Sequence, residues 1–162
     1  EKLELASTGS ARPNAKSEQD GETEDVQTGE MIKFKVRYQY APLKETITNG
    51  KKVSREFCKK MIAAKKLYRK EDIMSMATKA VNAGFGPEGK ANYDIWLYKG
   101  GARCRHFWLR KTYMAKGVAP DVKNPKAETS TAEARRKGFR PEANDRKVST
   151  KPNDMPNNGF KN

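Results

Sequence analysis

The residues best suited to chemistry in this sequence are its two cysteines and its single histidine, Cys58, Cys104 and His106. Thiolate and imidazole groups are the ligands that zinc prefers in proteins. Cys104 and His106 are two positions apart, so an extended strand would turn both side chains to the same face. Cys58 lies near the start of a predicted helix and completes the set if that helix packs on the strand. The sequence thus offers three ligands for one metal ion.

The same three residues have two other interpretations. The paired C-x-x-C spacing of structural zinc modules is absent, so the cysteines can be buried thiols beside a hydrogen-bonded histidine, or Cys58 and Cys104 can form a disulfide. Two cysteines are too few for a disulfide scaffold and fit a reducing compartment better. We expect the cluster to brace the domain with no required cofactor, and a structural zinc remains the alternative.

Hydrolytic chemistry finds little support in the sequence. A single histidine, with no Gly-x-Ser-x-Gly segment and no carboxylate cluster near it, leaves no complete set of nucleophile, base and orienting residue. Glu71 and Asp72 are adjacent, but a helix that begins there explains them through its dipole. We therefore predict that the chain is not an enzyme.

Basic and aromatic residues are interleaved around the histidine. Phe107, Trp108 and Tyr113 lie among arginines and lysines, a mixture that follows phosphates and stacks on bases. No zinc-finger, RRM or KH signature is present, so contact with nucleic acid would be non-specific. The alternative is a strand whose aromatic residues are core and whose basic residues are solvated. The residues predicted to bind nucleic acid or an acidic partner are Arg103, Arg105, Arg110, Lys111, Lys59 and Lys60.

The positive charge is concentrated in the middle of the chain. Residues 1–30 carry three basic and eight acidic side chains, a net charge of −5, whereas residues 31–118 carry 21 and 6, a net charge of +15. Residues 119–162 carry ten and six, a net charge of +4. A field of this size attracts polyanions or an acidic protein surface. No apolar run approaches the ~20 residues of a membrane span, and no leader of secretory type is visible, so we expect no membrane partner.

Hydrophobic periodicity predicts the elements that must position these residues. Apolar and basic or polar residues alternate over residues 31–41, which predicts a half-buried strand with one cationic face. Apolar residues recur at helical spacing over residues 55–68 and 69–84, which predicts two short helices. Residues 93–98 alternate again, and residues 103–114 predict a third strand in a hairpin with them. The expected fold class is α+β, a small domain with a β-hairpin or short antiparallel sheet packed on two short helices, flanked by long extended or disordered arms.

The two ends of the chain lack the apolar residues that a core requires. We predict an acidic flexible arm over residues 1–30, a compact basic α+β domain over 31–116 and an extended C-terminal arm over 117–162. The C-terminal stretch carries isolated apolar residues that we expect to anchor it to another surface, namely Phe139, Val148, Met155 and Phe160.

Three segments in this order resemble a known family. They are SREFCKKMIAAKKLYRKEDI (54–73), VNAGFGPEG (81–89) and YDIWLYKGGARCRHFWLRKTYM (93–114). The order resembles the C-terminal region of tailed-phage head proteins of the XkdF-like prohead protease type, and a shorter version resembles the end of minor head (head-morphogenesis) proteins. The positions that match the pattern are Arg55, Phe57, Cys58, Gly100, Gly101, Cys104, His106, Trp108 and Arg110.

The resemblance implies a phage protein without the protease itself. The body that precedes this block in the family, with its own serine and histidine, has no counterpart in residues 1–53, which contain no histidine. We expect a non-catalytic piece, left in the particle after a precursor is cut, that serves as a minor or auxiliary capsid component. Its partners would be the major capsid protein and other virion proteins. The alternative is a non-specific DNA-binding protein that is packaged in the head or organises the phage genome, with packaged DNA as its partner. Its location would be the phage head, after assembly in the host cytoplasm.

Overall fold

The computed structural model of the chain describes residues 7–42, 47–48, 51–52, 55–101, 104–141 and 146–148. Its strands are β1 (Gly21–Glu24), β2 (Met31–Ala41), β3 (Ile47–Thr48), β4 (Lys51–Lys52), β5 (Phe107–Lys116), β6 (Glu128–Thr129) and β7 (Lys147–Val148). Its helices are α1 (Glu56–Ala64), α2 (Lys70–Ser75), α3 (Ile95–Tyr98) and α4 (Thr131–Arg136), with short 3₁₀ turns at Met76–Thr78, Pro87–Gly89 and Pro125–Ala127. The architecture is the α+β class expected from the sequence.

A long antiparallel pair, β2 with β5, forms the centre of the sheet. Its register runs from Ile32 opposite Lys116 to Ala41 opposite Phe107. β1 pairs with the other edge of β2, while β6 and β7 pair with the other edge of β5. Strands β3 and β4 form a separate two-stranded ladder. Among the described residues, the central pair is therefore flanked on both sides by short strands from the ends of the chain.

The predicted strand over residues 93–98 is wrong, and so is the hairpin predicted from it. The segment forms helix α3, because the Asp94 side chain accepts a hydrogen bond from the Leu97 N–H at 3.1 Å and caps the first turn. Ile95 and Tyr98 are buried at helical spacing, which a short alternating sequence satisfies as well as a strand does. The strand after the two glycines, β5, pairs with β2 instead.

Strand β2 does not have the solvated cationic face predicted for it, because the N-terminal segment covers that face. The guanidinium of Arg37 is fully buried, where it donates to the carbonyl oxygens of Pro13 and Ala15 and forms an ion pair with Asp20 at 2.6 Å. Lys35 Nζ donates to the carbonyl of Asn14 at 3.3 Å. Both faces of β2 are therefore buried, one against aromatic residues and the other against hydrogen-bonded polar groups.

Aromatic residues fill the other face of the central pair. Trp108 is fully buried and meets Tyr40 and Tyr68 edge to face, with ring centroids 5.0 Å and 6.0 Å away. Trp96 of α3 stacks on Trp108 and meets Tyr38 edge to face. Such pairs add about 0.5–1.5 kcal/mol each beyond the area that they bury. This cluster holds α3 and the segment that precedes α2 against the sheet.

The described parts of both predicted arms lie against this core. β1 and the backbone of Ser7, which donates to the Val81 carbonyl, belong to the N-terminal stretch. In the C-terminal stretch, Phe139 stacks on Phe34 with centroids 4.5 Å apart, and Val148 packs against the aromatic cluster. The division of the chain at residues 30 and 117 stays a prediction, but strand pairing crosses both positions.

Helix α2 begins at a buried carboxylate. The Asp72 carboxylate accepts from the backbone N–H of Arg69 at 3.0 Å, from the Arg69 guanidinium at 2.7 Å and from the backbone N–H of Arg12 at 2.9 Å. Burial by itself raises the pKa of Asp72, but these hydrogen bonds outweigh it and hold the pKa below its ordinary value of 3.8. The carboxylate therefore ties α2 to the N-terminal segment while it is ionised.

We expect Asp20→Asn to destabilise the fold strongly, because the buried Arg37 guanidinium would lose its counter-charge. Breaking a buried pair in this way costs about 3–5 kcal/mol of unfolding free energy, measured by urea denaturation. Glu88→Gln is the matched control, since the Glu88–Lys90 pair is exposed and 3.7 Å long. Equal losses for the two variants would show that the Arg37 pair does not hold the N-terminal segment.

Acid should unfold the chain in part through Asp72. A carboxyl whose pKa is lowered in the folded state contributes stability that is fully present above its unfolded pKa, near 3.8, and that is lost as the pH falls below it. Asp72→Asn should therefore be less stable than the natural chain at pH 7 and should lose less stability between pH 6 and pH 3. Parallel pH profiles of the two unfolding midpoints would contradict this assignment.

Candidate functional site

The three residues singled out for chemistry meet at one end of the central strand pair. Cys58 is in the first turn of α1, and Cys104 and His106 lie immediately before β5. The ligand atoms of these three side chains all lie within 4.8 Å of one another. The register of β2 with β5 explains the meeting, since it sets Tyr40 opposite Trp108 and brings the His106 ring to the same face.

Tyr40 is the fourth member of the group, which we call the thiol cluster (Tyr40, Cys58, Cys104 and His106). Its hydroxyl oxygen is 3.1 Å from Cys58 Sγ and 3.4 Å from Cys104 Sγ. Cys104 Sγ is 3.5 Å from His106 Nδ1, and the His106 ring stacks on the Tyr40 ring with centroids 5.0 Å apart. The phenol ring therefore fixes both sulfurs and the imidazole in one arrangement.

The thiol cluster is closed to solvent. Cys58, Cys104 and His106 are 2%, 4% and 6% exposed, and both thiols are free. His106 Nε2 is buried and has no hydrogen-bond partner among the residues that the structure describes. A buried polar atom without a partner is costly, so the ring is held by what surrounds Nδ1 and by stacking. Large substrates cannot reach these side chains in this arrangement.

Gly100 lets the backbone approach the two sulfurs. A Cβ atom at this position would lie 2.4 Å from Cys58 Sγ and 3.3 Å from Cys104 Sγ. The Gly100 carbonyl accepts hydrogen bonds from Arg55 Nη1 at 3.0 Å and from Asn82 Nδ2 at 3.3 Å. Glycine is therefore required here by a close approach, and Arg55 fastens the glycine segment to the start of α1.

The electrostatics favour one negative charge on the cluster, on Cys104. The pKa of Cys104 lies well below its ordinary value of 9.0, because hydrogen bonds from Cys58, His106 and Tyr40 to its thiolate outweigh the effect of burial. The pKa of Cys58 is raised, since its thiol donates to Cys104 and burial penalises a second charge. Burial lowers the pKa of the nearby Lys99, and the two cysteines act in the opposite sense.

The other predicted site residues are scattered. Arg110 is buried on the same face as Trp108, so it is not available to a partner in this arrangement. Arg105 is exposed, whereas Lys111 on β5 and Lys59 and Lys60 on α1 are partly exposed. Of the four predicted anchors, Phe139 and Val148 pack on the chain's own core. Arg103, Met155 and Phe160 lie outside the described residues.

Sequence reasoning missed Tyr40. It lies in the strand predicted over residues 31–41, and nothing in the alternation of that strand distinguishes it from Tyr38. Gly100 belongs to the positions that match the family pattern, but its contact with the two sulfurs was not predicted. The adjacent glycines Gly100 and Gly101, shortly before Cys104, are a signal of close backbone approach. This signal could have linked the glycine segment to the cluster.

Gly100→Ala should disturb the cluster and cost about 1–3 kcal/mol of unfolding free energy, since the added methyl group would overlap the Cys58 sulfur. We also expect faster reaction of the native-state thiols with a disulfide reagent such as DTNB. Gly117→Ala is the control for backbone strain alone: a Cβ there meets nothing within 4 Å, but the φ of +74° disfavours a side chain, so this variant should lose stability without faster reaction of the thiols. Adding Cys58→Ala should recover most of the loss in Gly100→Ala, and purely additive effects would contradict the contact.

Within the described part of the chain, no helix has both the length and the apolar character to cross a membrane. Comparison with known proteins finds no matching family model, no matching curated protein and no matching solved structure.

Proposed function

We propose that this chain is a non-catalytic structural component of a tailed-phage head, with a small α+β domain that docks on the shell and end segments that contact neighbouring subunits. One observation carries the proposal: the positions that match the phage head-protein pattern converge in one buried group. Cys58, Cys104 and His106 meet there, Gly100 closes on both sulfurs, and Arg55 binds the Gly100 carbonyl.

The burial of these residues favours bracing over catalysis. A catalytic nucleophile and its base need access to a substrate and a hydrogen bond between them that serves the reaction. Here the thiols and the imidazole face one another in the core, and their contacts join the start of α1 to the start of β5. Cys58, Cys104 and His106 match the family pattern and pack in the core, which supports a structural role for the chain.

The charge distribution supports assembly into a large anionic particle. The basic middle of the chain carries a net charge of +15 and the first thirty residues carry −5. A basic domain suits an acidic shell surface or packaged DNA, and many weak contacts add through multivalency when subunits repeat. The partners that we propose are the major capsid protein and other virion proteins, in the phage head and, during assembly, in the host cytoplasm.

We further propose that the thiol cluster holds one structural zinc ion. Zinc bonds of about 2.3 Å to sulfur and 2.0–2.1 Å to nitrogen set a sulfur-to-nitrogen edge of about 3.5 Å in a tetrahedron. The distance from Cys104 Sγ to His106 Nδ1 is 3.5 Å, and Cys58 Sγ lies within 4.8 Å of both atoms. The donor set therefore fits zinc with little movement.

Tyr40 is the group available at the fourth position. Its hydroxyl oxygen is 3.1 Å and 3.4 Å from the two sulfurs, which is close to the edge of the same tetrahedron. Bound zinc would balance a second thiolate on Cys58, which is otherwise neutral, and would add its binding free energy to that of folding. The ion would strengthen the brace and supply no reaction.

The structural role is tested by mass spectrometry of particles from a phage whose genome encodes this chain. We expect the chain in purified heads at a constant ratio to the major capsid protein, and not in tails purified from the same particles. Its absence from heads, or its presence only in the lysate before assembly, would overturn the proposal.

The zinc proposal is tested by elemental analysis of protein purified without chelators. We expect one zinc per chain, and we expect Cys104→Ser to lose it because one thiolate ligand is removed. Val36→Ala is the control, since it weakens the core near Tyr38 but keeps every ligand. Sub-stoichiometric zinc in the natural chain after addition of excess zinc would contradict the site, as would equal loss in both variants.

A further inference from the structure

Two lysines share the sheet face opposite the thiol cluster with two apolar residues. Side chains alternate along a strand, so Phe107, Leu109 and Lys111 of β5 lie on the side away from Trp108. β7 sets Lys147 opposite Leu109, which brings it to this side too. Lys147 faces Leu109, and Lys111 lies two positions further along β5. The two lysines are thus diagonal neighbours on adjacent strands.

The described part of the N-terminal segment, from residue 7 onward, covers one end of this face. At the covered end, Lys35 and Arg37 are buried and bound to residues 13–20. Beyond that segment, Lys111 is partly exposed and Lys147 is exposed. Lys35 and Arg37 are therefore bonded within the chain, and the side chains of Lys111 and Lys147 reach the surface.

Further cations border the open end. Gln39 Nε2 donates to the Lys65 carbonyl at 3.1 Å, which holds the exposed Lys65 beside the face. Arg105, two residues before β5, is exposed as well. Among the described residues, the register sets Glu22 and Glu24 on this side opposite Lys33 and Met31, and sets Glu128 there opposite Tyr113, with Arg146 3.5 Å from it. Glu22 and Glu24 therefore lie toward the covered end of the face, whereas Arg105, Lys111 and Lys147 lie toward the open end.

We propose that this basic face, defined as Lys65, Arg105, Lys111 and Lys147, binds the phosphate backbone of duplex DNA without sequence preference. We choose DNA as the partner on charge complementarity, because several cations on one sheet face can contact the regular row of phosphates along a duplex. The Lys147 ammonium lies 5.4 Å from the centre of the Phe107 ring and covers it, so backbone contact is favoured over base stacking. Arg105 and Lys111 belong to the set predicted from sequence, whereas Lys65 and Lys147 do not, and the predicted Arg110 is buried.

The test is fluorescence anisotropy of the full chain with a labelled DNA duplex across a series of salt concentrations. The natural chain should bind with an affinity that falls steeply with salt. Lys111→Gln with Lys147→Gln should reduce the slope of log affinity against log salt by about 1.8, since each phosphate contact contributes about 0.9. Both substitutions remove the charge and keep a polar end group on a slightly shorter side chain.

Lys79→Gln with Lys90→Gln is the matched control, because it removes the same charge from exposed positions elsewhere. An equal change of slope in the control would overturn the assignment to this face, as would salt-independent binding. Competition by polyglutamate as strong as that by unlabelled duplex, at equal charge, would assign the face to an acidic protein and overturn the proposal for DNA. The basic face is separate from the thiol cluster, so failure of this test would leave the proposed head protein standing.

Discussion

The register between β2 and β5 is the constraint on which the rest of the structure depends. Side chains alternate across a sheet, so a slip of one residue would turn either Tyr40 or Trp108 away from the aromatic core and would separate the phenol from Cys104 and His106. With the observed register, Tyr40 meets Trp108 on one side and His106 on the other. One strand pair thus fixes both the core and the candidate site.

Burying both faces of that pair also buries charged side chains, and the N-terminal segment supplies their hydrogen-bond partners. An arginine in the core is tolerated only where its charge and its donors are satisfied. Arg37 finds carbonyl oxygens at Pro13 and Ala15 and a carboxylate at Asp20, all from the acidic stretch that composition alone marks as coreless. These polar contacts with a strand hold the described part of the segment, and hydrophobicity gives no sign of them.

The two sides of the sheet suit two different roles. On one side the thiol cluster joins α1, the glycine segment and β5 by contacts that are sealed from water, and this arrangement supports a brace that a zinc ion would strengthen. On the other side, cations remain at the surface where the N-terminal segment ends. A head protein that docks on a shell beside packaged DNA would use both properties at once, rigidity from the first and affinity for polyanions from the second.

The sequence by itself determined the α+β class, strand β2, the two helices near residues 55–75 and the grouping of Cys104 with His106, because local periodicity and two-residue spacing govern these features. It failed at residues 93–98, where alternation over a few residues fits a strand and a capped helix equally. Only the tertiary structure decided that β5 pairs with β2, that Arg37 and Arg110 are buried, and that Tyr40 and Gly100 complete the thiol cluster. The physical reason is that each of these depends on contacts between segments far apart in the chain, and no local pattern carries that information.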